Sequence, residues 1–216
     1  KPLAKIATKI MLGSKINTMN LEETNINHFA IKEAVFPFKR FTGVDTILGP
    51  EMRSTGEVMG IDKDFGMAFA KSQIGSGSKI PTGGSVFVSV KDGDKDKILR
   101  PVSELISLGF EIYATDGTAE FFNKNKIKAK KINKVLQGSP HIVEMISEKK
   151  ISLVFNTTET PQAIKDSKSI RRSALESETP YYTTVSGANA AVMAIKAIRN
   201  NEMTVKTIQS FGESLN

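Results

Sequence analysis

The sequence predicts an α/β protein whose larger part is a parallel five-stranded sheet with helices on both faces. Residues 86–199 alternate short apolar runs with longer segments of helical periodicity, a rhythm typical of parallel sheets covered by helices. Residues 74–84 are rich in Gly and Ser, carry a Pro and lack periodicity, which indicates a linker. We therefore expect a domain boundary at residues 79–84, between a first region, 1–78, and a second region, 85–216.

The first region shows two helical patterns around a strand and a glycine-rich segment. Apolar spacing predicts a helix over 2–12, ended by Gly13, and another over 62–73. Residues 31–38 read as a short strand stopped by a proline. The segment 41–60 is dense in Gly and polar residues, which predicts a structured functional loop.

The second region contains five predicted strands and five predicted helices in alternation. Each strand is a short apolar or alternating run, and each helix follows a turn or a capping residue. The strands are expected at 86–90, 110–114, 126–130, 151–155 and 181–184, and the helices at 96–108, 117–123, 139–149, 161–175 and 187–199.

Composition excludes several classes of protein. Apolar residues make up 39% and charged residues 25% of the 216, which excludes disordered and collagenous chains. No apolar run approaches the roughly 18 residues of a membrane span. The chain has no Cys and two His, so disulfides, thiolate zinc sites, cysteine nucleophiles and His-rich metal sites are excluded. No metal ligand set is expected.

The net charge of +7 is concentrated locally. Residues 124–134 hold six lysines and no acid, but aromatic residues are not interleaved with them. This pattern favours a solvated face near a site for a small anion over a nucleic-acid groove. The chain begins at Lys1 without a Met or a signal pattern, so we expect a piece of a larger, cytoplasmic protein.

Three predicted strands end in hydroxyl and amide side chains. These ends are Thr115-Asp116-Gly117-Thr118, Asn156-Thr157-Thr158 and Thr183-Thr184. In a parallel sheet they share one edge, where such side chains and helix N-terminal amides form a cradle for an anion. Lys95 and Lys134 would supply the counter-charge. For any single Thr the alternative is helix capping.

Catalytic patterns are weak. The chain has neither Gly-x-x-x-x-Gly-Lys-[Ser/Thr] nor Gly-x-Ser-x-Gly. His141 follows Ser-Pro at a predicted helix start, which favours a capping role. Asp92, Asp94 and Asp96 have the spacing of a calcium loop without its closing Glu, which favours a solvated turn. No catalytic residue is expected.

Several strings are specific to a known family. Residues 48–60 read Leu-Gly-Pro-Glu-Met-Arg-Ser-Thr-Gly-Glu-Val-Met-Gly. Residues 36–45 carry Phe-Pro-Phe-x-x-Phe-x-Gly-Val-Asp, and 170–175 read Ile-Arg-Arg-Ser-Ala-Leu. With the strand-end motifs, these resemble the C-terminal part of the carbamoyl-phosphate synthetase large subunit over essentially the whole chain. The resemblance implies an incomplete α+β remnant of the second ATP-grasp unit over 1–78 and a methylglyoxal-synthase-like (Rossmann-like) allosteric domain over 85–216.

The resemblance also implies two effector sites. Bacterial relatives bind UMP as an inhibitor and IMP as an activator at one overlapping site. The matching positions are Lys95, Thr115, Gly117, Thr118, Lys134, Asn156, Thr158 and Asp166. Ornithine, a second activator, binds in the family between the two regions. The matching positions are Glu33, Leu48, Gly49, Pro50 and Thr183.

Two departures from the family put the effector's identity in question. Asp116 stands where bacterial relatives have a His, and Pro161 where they often have an Arg. In animal mitochondrial relatives the domain responds to N-acetylglutamate, and the two retained lysines favour a nucleotide over that effector.

The resemblance implies that the parent is a ligase and that this chain alone is inactive. The family's ATP-grasp metal ligands, in a Glu-x-Asn-Pro-Arg segment, are missing from the sequence, so ATP and Mg or Mn would be cofactors of the parent only. Residues 137–141 lack the catalytic Asp of methylglyoxal synthases. Implied partners are the rest of the large subunit, the small glutaminase subunit and further copies of the domain, with neither nucleic acid nor membrane.

The expected function is therefore allosteric control of carbamoyl phosphate synthesis. The parent would make it from ATP, bicarbonate and glutamine-derived ammonia, for pyrimidine and arginine biosynthesis. The alternative is an oligomerisation module of the same enzyme without affinity for nucleotides.

Overall fold

The computed structural model describes residues 2–19, 21, 26–35, 56–134, 137–158 and 167–212. These residues form two compact units. One unit joins 1–27 to 206–216 and contains helix α1 (Leu3–Met11), a 3-10 turn (Ile16–Thr18) and a short final helix, α8 (Ile208–Gly212). Helix α1 has the predicted position and buries none of its residues.

The other unit, His28–Val205, holds two sheets. Strands β1 (Phe29–Val35) and β2 (Gly56–Asp62) pair antiparallel and are followed by helix α2 (Phe65–Gly75). Residues 79–84 lie inside this unit, and the boundary between homologous domains placed there stays a prediction.

The second sheet contains five parallel strands, as the sequence predicts, and the structure places them in the order β5-β4-β3-β6-β7. Its elements run along the chain as follows: β3 (Ser85–Ser89), a 3-10 turn (Asp92–Asp94), α3 (Lys95–Ser107), β4 (Glu111–Ala114), α4 (Asp116–Lys124), β5 (Lys130–Lys131), α5 (Ile142–Ser147), β6 (Leu153–Asn156), α6 (Lys168–Glu176), β7 (Tyr181–Tyr182) and α7 (Val185–Asn200).

Both faces of this sheet are covered by helices. Val86 and Val88 of β3 are fully buried in the core formed with α3, α4 and α7. Phe87, which points to the opposite face because side chains alternate along a strand, is buried with residues of α5 and α6. Successive side chains of β3 thus point to opposite faces and are buried on both of them, which requires helices on each side of the sheet.

Helix α2 packs closely on both β2 and α7. A Cβ atom on Gly60 would collide with the backbone of α2 at Ala68 and Ser72, and one on Gly66 would collide with the Met193 carbonyl of α7. Glycine is therefore required where these backbones approach each other. This contact attaches the β1–β2 pair to the parallel sheet through α7.

Several boundaries differ from the sequence prediction. Gly56–Gly60, predicted as the end of a loop, lies in β2 because its backbone pairs with β1. The strand predicted over 126–130 is reduced to Lys130–Lys131, since Lys126 has a φ of 62° and turns the chain. The helix predicted from 139 begins at Ile142, where His141 caps it. The predicted helix at 161–175 is observed from Lys168, and residues 159–166 lie outside the described ones.

Candidate effector site

A polar cleft opens at the carboxyl ends of strands β3, β4 and β5. In open α/β sheets ligands bind at this edge. The cleft has a volume of about 220 Å³. Its lining residues come from the three strand ends and from the starts of α3 and α4: Ser89, Val90, Asp92, Lys95, Thr115, Asp116, Gly117, Thr118, Lys134 and Gln137. Among them are the predicted effector residues Lys95, Thr115, Gly117, Thr118 and Lys134.

Three hydroxyl groups form a row along one wall of the cleft. The Ser89 Oγ and Thr115 Oγ1 atoms are 3.2 Å apart, and Thr115 Oγ1 donates to Thr118 Oγ1 at 3.5 Å. The Val90 amide also donates to Thr118 Oγ1, at 3.4 Å. Thr115 and Thr118 are buried, so their hydroxyls are fixed before any ligand arrives. Because Thr115 already donates its one proton to Thr118, the Thr118 proton is the one in this pair left to bind an anion.

The N-terminus of α4 faces the same space. Thr115 holds the N-cap position with extended backbone, yet its side chain makes no capping hydrogen bond. The capping alternative is therefore wrong for this residue. Amides in the first turn of a helix have no intrahelical acceptor, and they carry the positive end of the helix dipole. A Cβ atom on Gly117 would lie 3.6 Å from the Lys95 Nζ atom, so backbone and ammonium approach each other closely here.

Two lysines supply positive charge to the cleft. The Lys95 side chain is only 19% exposed, and its Nζ atom lies 2.8 Å from Asp92 Oδ1 and over the ring of Phe121. Lys134 is exposed, and its backbone amide donates to Gln137 Oε1 at 2.7 Å. Lys95 is therefore held in place, whereas Lys134 stands at the rim.

Asp116, the acid that departs from the family pattern, is paired with a lysine. Its Oδ1 atom lies 2.9 Å from the Lys131 Nζ atom. The hydrogen bond and charge of Asp116 raise the pKa of Lys131, so this lysine remains charged at neutral pH. Lys131 thus balances the negative charge of Asp116, although the sequence predicts for this lysine only a place on a solvated face.

Two further predicted effector residues, Asn156 and Thr158, are not among the residues that line the cleft. Asn156 is buried at the end of β6 and in register with Ser89, but its Nδ2 atom donates to the Tyr181 hydroxyl at 2.7 Å. Thr158 is half-buried two residues further on. Between them, Thr157 Oγ1 accepts a hydrogen bond from the Lys91 amide. Asp166 lies outside the described residues.

Four of the lining residues were not predicted from the sequence as parts of the site: Ser89, Val90, Asp92 and Gln137. The position of Ser89 at the end of β3 was the available signal, because that strand is central to the sheet. The contributions of Asp92 and Gln137 depend on how their turns fold back over the cleft. No local pattern encodes such a fold.

The structure brings the two described ornithine-site candidates to one region at β7. Burial raises the pKa of Glu33 in β1, and a hydrogen bond with the Gln73 side chain partly opposes that shift. The buried Gln73 in turn accepts from the Tyr182 hydroxyl through Oε1, at 3.1 Å. Burial and the charge of Glu33 raise the pKa of Tyr182. Thr183 follows Tyr182 and is exposed, while Leu48, Gly49 and Pro50 lie outside the described residues.

Helix capping accounts for two other polar residues. His141 forms a capping box with Glu144, in which the His141 amide donates to Glu144 Oε2 at 2.9 Å and the Glu144 amide donates to His141 Nδ1 at 3.4 Å. Thr184 Oγ1 caps α7 by accepting from the Gly187 amide at 3.0 Å. The capping interpretation of His141 is confirmed.

The described part of the chain holds no group of three or more His, Asp or Glu side chains able to share a metal ion. Within the same ranges, no helix combines the length and apolar character needed to span a bilayer.

Comparison with known proteins gives a family match over part of the chain and one alignment with a solved structure. The family model described as the MGS-like domain matches residues 97–183. The crystal structure of methylglyoxal synthase from Elizabethkingia anophelis NUHP1 aligns with a TM-score of 0.44 and 18% identity, over 53% of this chain and 80% of that chain.

The sequence relatives are much longer proteins. Carbamoyl phosphate synthase large chains from Brucella suis, Mesorhizobium japonicum and Methanobrevibacter smithii are 49%, 50% and 51% identical to this chain. The alignments cover 99%, 98% and 96% of this chain, but 19%, 19% and 20% of those proteins. The chain thus spans about a fifth of the length of these relatives.

The parallel sheet and the family match define this chain as one that carries an MGS-like domain. Over almost its whole length it is homologous to a segment of the carbamoyl phosphate synthase large chain. The resemblance stated from the sequence motifs is confirmed.

Proposed function

We propose that this chain is the regulatory portion of a carbamoyl phosphate synthase large chain and that its cleft binds a nucleoside monophosphate. One observation carries the proposal: two lysines, a row of hydroxyls and the first turn of α4 all face one cleft. A phosphate monoester combines negative charge with several acceptor oxygens, and these groups are all donors or cations. UMP as an inhibitor and IMP as an activator are the effectors that the family resemblance favours.

The cleft has a small positive excess for such a ligand. Lys95 and Lys134 line the cleft, and Lys131 is paired with Asp116. These three positive charges exceed the two negative charges of Asp92 and Asp116. A charge-assisted hydrogen bond contributes roughly 1.5–3 kcal/mol. Loss of one lysine contact should therefore weaken binding about ten- to a hundredfold.

Calorimetric titration of this chain with UMP and with IMP tests the proposal. Lys95→Met should weaken binding of both nucleotides at least tenfold, and Lys134→Met should weaken it in the same direction. Lys97→Met is the matched control, because Lys97 is exposed on the same helix and does not line the cleft. Equal affinity in the wild type and Lys95→Met would refute the proposed phosphate site. If neither nucleotide binds and the chain forms a stable dimer, the alternative of an oligomerisation module is favoured instead.

Ornithine is proposed to bind beside β7. Glu33 supplies a carboxylate for the ligand's amine, and the exposed Thr183 hydroxyl lies next to Tyr182, to which Glu33 is linked through Gln73. Glu33→Gln should abolish measurable ornithine binding by this chain, whereas Glu57→Gln, at an exposed acid of β2, should not. Unchanged ornithine binding by Glu33→Gln would refute the proposed ornithine site.

In the parent enzyme, the two sites would control carbamoyl phosphate synthesis from ATP, bicarbonate and glutamine-derived ammonia, in the cytoplasm. An effector acts through its differential affinity for two states of the enzyme, and coupling of this kind is typically about 1–3 kcal/mol. ATP and its Mg or Mn ions, and the glutaminase subunit, would be bound by parts of the parent outside this sequence. We expect this chain alone to be inactive in carbamoyl phosphate synthesis.

A further inference from the structure

The cleft contains an acid that occupies one of its own cations. Asp92 Oδ1 lies 2.8 Å from Lys95 Nζ, the less exposed of the two cleft lysines. The Asp92 side chain is 94% exposed, whereas that of Lys95 is 19% exposed. The carboxylate therefore reaches into the mouth of the cleft from solvent, and the ammonium is held inside.

The two acids of the cleft differ in their partners. Asp116 is paired with Lys131, which is not among the lining residues. Asp92, in contrast, is paired with a lysine that the proposed ligand itself requires. The charge and hydrogen bond of Lys95 lower the pKa of Asp92, so this carboxylate is ionised at neutral pH.

An anion at the start of α4 would lie close to Asp92. The Lys95 ammonium is 3.6 Å from the place where a Gly117 Cβ would stand, and 2.8 Å from Asp92 Oδ1. A ligand phosphate bound between the α4 amides and Lys95 would thus share the ammonium with a second negative group. Like charges at such separation repel each other, and an ammonium has only three donors.

We infer that Asp92 is an internal competitor for Lys95 that lowers the affinity of the cleft for phosphate monoesters. The inference rests on the proposed nucleotide site and names a residue that sets its affinity. Because Asp92 is solvated, its release from Lys95 exposes no buried group. In the absence of a ligand, the Asp92 carboxylate therefore binds Lys95. A dianionic ligand at sufficient concentration displaces that carboxylate from the lysine.

Titration of this chain with UMP, IMP and inorganic phosphate tests the inference. Asp92→Asn should bind UMP and IMP about three- to thirtyfold more tightly than the wild type, since the substitution removes the competing charge and retains the side-chain size. Asp96→Asn removes the same charge from an exposed position in the first turn of α3, outside the cleft lining, and should change affinity by less than twofold.

A double-mutant cycle separates competition for Lys95 from general repulsion. In the Lys95→Met background, Asp92→Asn should improve binding less than twofold. A gain equal to that in the wild-type background would overturn the competitor role. So would weaker binding by Asp92→Asn, which would make Asp92 a positioning residue for Lys95.

The same titrations distinguish the two proposals. If neither the wild type nor Asp92→Asn binds any of the three ligands, the proposed function fails and this inference fails with it. If the wild type binds and Asp92→Asn binds no more tightly, the inference alone fails.

Discussion

The Nδ2 atom of Asn156 donates a hydrogen bond to the Tyr181 hydroxyl at 2.7 Å, which joins the ends of strands β6 and β7. Asn156 is 3% exposed, and burial raises the pKa of Tyr181. The amide that the sequence motif assigns to the effector is thus used inside the sheet. Its hydrogen bond joins β6 to the edge strand β7, which leads directly to Thr183, one of the ornithine candidates.

Removing the Tyr181 hydroxyl should destabilise the fold. Tyr181→Phe leaves a buried amide without this acceptor, a change that costs about 1–3 kcal/mol. Because the hydroxyl also interacts with Arg171, a cycle with Asn156→Ala is needed to isolate the pair. Denaturant unfolding of the four proteins should give a coupling of about 1 kcal/mol. Additive losses would show that the hydrogen bond contributes nothing to stability.

A methyl group on Gly60 should be poorly tolerated. In Gly60→Ala the new Cβ would collide with the backbone of α2 at Ala68 and Ser72, and backbone atoms cannot rotate away as a side chain can. We expect a loss of at least about 2 kcal/mol in the free energy of unfolding. Gly83→Ala is the control, because its Cβ would have no neighbour within 4 Å. Equal stability of the two variants would contradict the observed packing of β2 on α2.

Asp62 should make stability depend on pH in the acidic range. Burial disfavours its ionisation, but the hydrogen bond and charge of Lys71, with backbone N–H donors, hold the pKa of this carboxyl below its usual value near 3.8. The Lys71 Nζ and Asp62 Oδ2 atoms are 2.6 Å apart, and the side chains are only 16% and 23% exposed. A group whose pKa is lowered by folding adds stability above its unfolded pKa. That stability is lost as the pH falls through the folded pKa.

Unfolding free energies from pH 7 to pH 3 check this expectation. The free energy of unfolding of the wild type should exceed that of Asp62→Asn most above about pH 5, and this difference should shrink below about pH 4. Asp96→Asn, which changes an exposed acid, should show no comparable pH dependence. If the difference in unfolding free energy between the wild type and Asp62→Asn stays constant down to pH 3, ionisation of Asp62 is not what stabilises the wild type.

Gly117→Ala should impair anion binding without destabilising the protein. Alanine is the better helix former by up to about 1 kcal/mol, and the new Cβ would meet only the Lys95 Nζ atom, at 3.6 Å. It would nevertheless occupy the space between the α4 amides and the ammonium. We expect about tenfold weaker binding of UMP, with a melting temperature equal to or above that of the wild type.

Gly93→Ala is the matched control for this variant. It adds the same group to the 3-10 turn near the cleft, where a Cβ would have no neighbour within 4 Å. It should leave the affinity for UMP unchanged. Unaltered affinity in Gly117→Ala would show that the phosphate does not approach the start of α4.

The sequence by itself determined the parallel sheet, its helical cover and the edge at which polar strand ends meet. These features follow from local periodicity and from the geometry that parallel strands impose on their connections. The threonines of Thr115-Asp116-Gly117-Thr118 were therefore predictable as neighbours of Lys95 and Lys134. Only the tertiary structure decided which side chains remain available at that edge. The Asn156 amide hydrogen-bonds to Tyr181 and the Asp116 carboxylate pairs with Lys131, since contacts between segments far apart in sequence depend on three-dimensional proximity that no local spacing encodes. Asp92 and Lys95 are only three residues apart, but the structure decided that their side chains pair inside the cleft.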